Sequence, residues 1–159
     1  MSSPLVRPEG LTSIGASAFY NCSKFTGTLV LPQNLTYLGE SAFYNCKGFT
    51  GELVVPNGVQ TLPKRVFGNM TGITSLVIGT GVTSIYSYST TNYPEYNAFY
   101  NLKRVTEVTF LSTTVPALVY QTTPFVQMTS LEKVLVPGEA YTAYSTAYSS
   151  YLPANVRLQ

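Results

Sequence analysis

Leu11 to Asn34 reads LTSIGASAFYNCSKFTGTLVLPQN, and Leu35 to Gly58 reads LTYLGESAFYNCKGFTGELVVPNG; by direct count 15 of the 24 aligned positions are identical. Repetition at a fixed period changes every later inference, because each copy must be read against its neighbours. Three looser copies follow. Val59 to Gly81 keeps VQTL, VFGNM and SLVI; Val82 to Thr114 keeps VTSI, AFYNL and EVTF; Val115 to Glu139 keeps VPAL, PFVQM and KVLV. One phenylalanine anchors each copy: Phe19, Phe43, Phe67, Phe99 and Phe125.

Counting onward from the anchors gives columns. Three residues on stand Cys22, Cys46, Met70, Leu102 and Met128; six on stand Phe25, Phe49, Ile73, Val105 and Leu131. Then come Leu29, Leu53, Leu76, Val108 and Val134, and two residues later Leu31, Val55, Ile78, Phe110 and Val136. That alternation of period two marks one short strand per copy. Another apolar pair, Leu11/Ile14 and its equivalents, follows the next turn, and the SAFYNC segment spaces its apolar residues by three, as a single helical turn would. A unit this small cannot bury its own apolar side, but stacked copies close a continuous core.

Ala18-Phe19 with Cys22, and Ala42-Phe43 with Cys46, each followed by a strand ending in proline and an LxxIG-type turn, resemble the BspA-like (TpLRR-type) leucine-rich repeats of bacterial surface and secreted proteins. The likeness covers about Leu5 to Glu139 and loosens where Val66 and Pro124 replace the alanine. The expected fold is an α/β repeat solenoid: a right-handed coil with short parallel strands on one face, short helices or 3-10 turns on the other, and a C-terminal helical cap. Residues 1–10 read as a partial leading repeat, 11–34, 35–58, 59–81, 82–114 and 115–139 as five repeats, and 140–159 as the cap. Leu5 to Leu11 aligns with the strand Leu29 to Leu35, so the chain is expected to be cut from a longer array. In the cap, Tyr141, Tyr144, Tyr148 and Tyr151 share one helical face, and Val156 and Leu158 alternate like a final strand. Covering the last core face is one reading of those tyrosines; lining a ligand site is the other.

Composition narrows the function. The chain has 159 residues, 45% hydrophobic and 10% charged, with no histidine, and its seven acids are all glutamate. Ser-His-Asp and Cys-His nucleophile systems and histidine-ligated metals therefore lack their parts. The expectation is no enzyme, no cofactor and no metal. A net charge of +2 spread over single residues and the doublets Lys64-Arg65 and Lys103-Arg104 is too weak for nucleic acid. No apolar run approaches the roughly 20 residues of a membrane span, so no membrane insertion is expected, and the fragment is expected to be a monomer.

Cys22 and Cys46 share a column with methionine and leucine, which points to buried, reduced thiols rather than a disulfide or zinc ligands. Asn21, Asn45, Asn69 and Asn101 form a polar column suited to left-handed backbone and to bonds with nearby backbone. Asn21, Asn34 and Asn69 also match the glycan acceptor pattern, which a bacterial source would usually leave bare.

Two surfaces are candidates for binding. Strand residues between the inward ones face out, which puts Val30, Val54, Val77 and Leu135 in an exposed apolar line, with Glu52 and Glu107 beside it. This is either a contact site or ordinary strand propensity. The second is an insertion of about nine residues within Tyr86 to Tyr96, bringing Tyr86, Tyr88, Tyr93, Glu95 and Tyr96 together with Asn92. Such aromatic and polar mixtures suit recognition loops, for sugars or peptides; the alternative is a drifted loop packed on the next coil. The expected function is a non-catalytic module binding a protein or carbohydrate, with a structural spacer as the alternative. The resemblance implies an extracellular or cell-surface location and a part in adhesion or host-matrix contact.

Overall fold

The computed structural model describes residues 10–88, 90–120 and 122–159. The partial leading repeat expected at residues 1–10 therefore lies, apart from Gly10, outside the described residues.

The period-two columns form the larger sheet. Strands β3 (Gly51–Val55), β5 (Ile73–Ile78), β7 (Glu107–Phe110), β9 (Lys133–Leu135) and β10 (Arg157–Leu158) lie side by side in that order, all parallel. The first repeat joins through isolated parallel bridges, Gly27 to Phe49 and Val30 to Val54. Leu53, Leu76, Val108, Val134 and Leu158 pair in one register, the first four fully buried and Leu158 half-buried at the edge. Val156 and Leu158 thus end the sheet as the alternation predicts.

One strand per copy is an undercount. The apolar pairs after each turn make strands of their own: β1 (Ser13–Ile14) pairs with β2 (Tyr37–Leu38), and β4 (Thr61–Leu62), β6 (Ser84–Tyr86) and β8 (Ala117–Val119) form a three-stranded parallel sheet. Two or three residues are too few for an alternation to show in sequence.

The third side of each coil is not helical. Along Ser17 to Cys22 the amides alternate in direction: Ala18, Tyr20 and Cys22 donate to the carbonyl three residues back, whereas Ser17, Phe19 and Asn21 donate across to Glu40, Ala42 and Tyr44 of the next coil. Ser41 to Cys46 repeats the pattern against Lys64, Val66 and Gly68. Ser17 and Asn21, Ser41 and Asn45, and Arg65 and Asn69 all sit at positive φ between 55° and 65°, which turns every second amide outward and stops a helix from propagating. Of the short helices or 3-10 turns expected on this side, the structure has turns, each closed by a bond to the carbonyl three residues back and laddered between coils. Coils approach closely here; a Cβ at Gly72 would lie 2.3 Å from the Phe49 carbonyl oxygen.

Inside, the anchor rings stack, Phe19 on Phe43 at 5.1 Å and Phe43 on Phe67 at 6.0 Å. Phe43, Phe67, Phe99 and Phe125 are buried, and Phe19, in the first coil, is half-buried. At the far end α1 (Tyr141–Tyr148) lays Tyr144 and Tyr148 on Phe110, with ring centroids 5.3 and 5.7 Å away. Their hydroxyls donate to the Ser112 and Pro116 carbonyls at 3.0 and 2.6 Å. The tyrosine face is therefore a cap, with Tyr141 exposed and Tyr151 half-buried at its margins.

Candidate ligand-binding surfaces

The two cysteines differ. Cys46 is buried, donates to the Phe19 carbonyl at 2.9 Å, and burial pushes its thiol up to about 11. Cys22 is half-buried, because no coil among the described residues lies over it, which corrects the expectation that both thiols are buried. Both are free. The asparagine column has the left-handed backbone expected, but its side chains bond one another rather than nearby backbone. Asn45 donates to Asn21, Asn69 to Asn45 at 2.9 Å, and Asn101 to Asn69. The ladder stops where Gln127 takes the next place, leaving the buried Asn101 Oδ1 without a partner among the described residues.

On the larger sheet Val30 and Val54 are exposed, at 44% and 38%, while Val77 and Leu135 are half-buried. Register places Thr109 between Val77 and Leu135, so the apolar line is broken at the fourth coil. Glu52 and Glu107 share the neighbouring row with Ser75 between them and are not brought together. Glu107 instead pairs with Lys133 at 2.6 Å. This face is a mixed row with one short apolar segment.

The tyrosine loop is more organised. Tyr93 stacks on Tyr96 at 5.1 Å, and Tyr88 tilts against Tyr96 at 6.0 Å. Lys64 Nζ lies 3.6 Å from the Tyr96 ring centroid, and the Arg65 guanidinium 4.5 Å from the same ring. Arg65 also donates to the Glu95 carboxylate at 2.8 Å and to its backbone carbonyl at 3.3 Å. These contacts tie the insertion to the preceding coil. Its four tyrosines and Glu95 are thus brought together, as the sequence suggests.

Three further tyrosines, missed in the sequence reading, extend the patch. Tyr120 meets Tyr86 and Tyr88 edge to face at 5.3 and 5.2 Å, and at 59% exposure it is the most open large apolar side chain described. Its backbone stands at φ 73°, a costly place for a bulky residue. On the other side Arg65 lies 5.6 Å from Tyr44, which stacks on Tyr20 at 5.4 Å. Gly68 makes room, since a Cβ there would lie 2.9 Å from the Tyr44 ring. Burial holds the Tyr44 phenol above its ordinary value, partly offset by Arg65, and burial followed by the hydrogen bond with Tyr120 raises Tyr86 to about 12. The signal for Tyr20 and Tyr44 was present in the sequence, one residue after each anchor; nothing marked Tyr120.

This architecture can be set beside known proteins. The BspA type leucine rich repeat region matches residues 3–115, in six copies. The chain belongs to the BspA-type leucine-rich repeat family. No protein of curated function matches it. Among solved structures, the pneumococcal vaccine antigen PcpA superposes with a TM-score of 0.68 at 21% identity, over 94% of this chain and 33% of that one. A leucine rich cell surface protein from Faecalibacterium prausnitzii gives 0.65 at 21% identity, over 83% of this chain and 31% of that one. At this identity the likeness is one of fold, and the BspA-type chain spans about a third of the length of each.

Proposed function

We propose that this chain is a non-catalytic recognition module of a cell-surface or secreted bacterial protein, coiled as a right-handed solenoid and contacting its ligand through the tyrosine loop. Right-handedness is supported by the parallel pairing, since crossovers between parallel strands are right-handed in about 98% of cases. A surface location is supported by the family and by the similar fold of a protein described as cell surface. The absence of histidine and aspartate leaves little from which to build a catalytic centre.

One observation carries the choice of surface. The loop rings are held before any ligand arrives, by the Lys64, Arg65 and Glu95 contacts, so binding loses little conformational entropy. The larger sheet offers only Val30 and Val54 as an exposed pair.

The test compares Tyr93→Ser/Tyr120→Ser with Val54→Lys/Val77→Lys for adhesion to immobilised host extracellular matrix. The first pair should lose adhesion at unchanged melting temperature, and the second should retain it. The reverse result would move the site to the sheet. Unchanged adhesion by both would move the site elsewhere, and no adhesion by the unaltered chain would leave the module a structural spacer.

A further inference from the structure

Resting on the reading above, we propose that the ligand of the tyrosine patch is a neutral carbohydrate, packed on the exposed rings of Tyr93 and Tyr120. Tyr93 is 48% exposed, with Tyr96 stacked on one side of it. Tyr120 is more exposed still and is held in left-handed backbone, an arrangement that keeps a bulky ring out of the coil's own packing. A sugar ring offers a C–H face to such a surface and hydroxyls around its rim. The patch answers both, with ring faces for the first and phenols that both donate and accept for the second. Thr90, Thr91 and Asn92, all exposed on the loop, add hydroxyl and amide groups.

Charge and composition fit this class. Arg65 is consumed by Glu95, and Lys64 faces the Tyr96 ring. The segment from Tyr86 to Tyr96 contains no leucine, isoleucine, valine, methionine or phenylalanine, so its apolar surface is tyrosine ring alone, the kind of face that a sugar's C–H side packs on.

Affinity electrophoresis of the full chain through gels containing neutral polysaccharides, a β-glucan, a galactomannan and a xylan, tests the class. A second assay measures binding to immobilised mucin, either oxidised with periodate or digested with protease. Retardation by a neutral polysaccharide, insensitive to added salt, is expected. Tyr93→Ala and Tyr120→Ala should each weaken it by up to about tenfold, the scale of one aromatic face contact, while Tyr93→Phe, which keeps the face, should retain most of it. Periodate should abolish mucin binding and protease should not. Retardation only by charged polysaccharides, retardation unchanged in both alanine variants, or no retardation at all would overturn the proposal. Mucin binding that resists periodate, is lost on proteolysis and still depends on Tyr93 would overturn the carbohydrate class while leaving the tyrosine loop as the binding surface.

Discussion

At Asn45 one residue meets two demands. Its backbone stands at φ 64°, and its side chain donates to Asn21 and accepts from Asn69. Alanine would lose both, at roughly 1–2 kcal/mol for the left-handed backbone and about 1 kcal/mol for each hydrogen bond. Glycine would lose only the bonds. Asn45→Ala should therefore lower the urea midpoint clearly more than Asn45→Gly, and equal midpoints would show that backbone geometry carries no weight there. The thiols give a second check at this scale. Only the thiolate reacts, and burial raises Cys46 to about 11, so native protein near neutral pH should label at Cys22 first. Cys46 should follow as the pH approaches 11 or on denaturation, with mass spectrometry of the labelled peptides reading the order.

Elements differ in how much of them the sequence displayed. The anchor column is legible because stacking demands one residue type at one place, and Phe43→Ala should cost about 3–5 kcal/mol as a cavity between two rings. Phe19→Ala should cost visibly less, because its ring is half-buried and, among the described residues, stacks on Phe43 on one side, with Phe25 meeting it edge to face at 6.4 Å. The turn ladder was not legible, since spacing by three fits a helical turn and a chain of three-residue turns alike; only backbone at positive φ separates them. The cap was read from its helical period, and it adds a pH dependence. Burial raises Tyr144 to about 12 and Tyr148 further in the same direction. The unfolded chain then loses these protons first, near the ordinary value of 10, so stability is complete below pH 10 and declines towards pH 12. Tyr144→Phe should start lower at neutral pH, by about 1 kcal/mol for its hydrogen bonds, yet lose less melting temperature across that window. An identical alkaline decline in wild type and variant would place the titrating group elsewhere.

Across the whole molecule, the site depends on neighbours that sequence order hides. Arg65 and Glu95 are 30 residues apart, and their pairing needs the register of adjacent coils. In sequence, Lys64-Arg65 registers only as a weak basic doublet, and its use as a clamp on Tyr96 emerges once the copies are stacked. Arg65→Ala should leave the core intact and free the loop, seen as faster hydrogen exchange across residues 90–96 with little change in melting temperature. Unchanged exchange would show that the loop holds itself.

The turn ladder has a mechanical consequence. Ser17, Phe19 and Asn21 bind only the next coil, with partners about one period away, so a pull between the chain ends runs along the stack and loads one inter-coil seam at a time. Such a stack yields by peeling rather than by shearing at one resistant barrier. Each event would free one coil, on the order of 80 Å of extended chain for the 24-residue copies and more for the copy at 82–114 that carries the insertion. Under flow the protein would lengthen coil by coil at modest tension, with one longer step where the insertion lies.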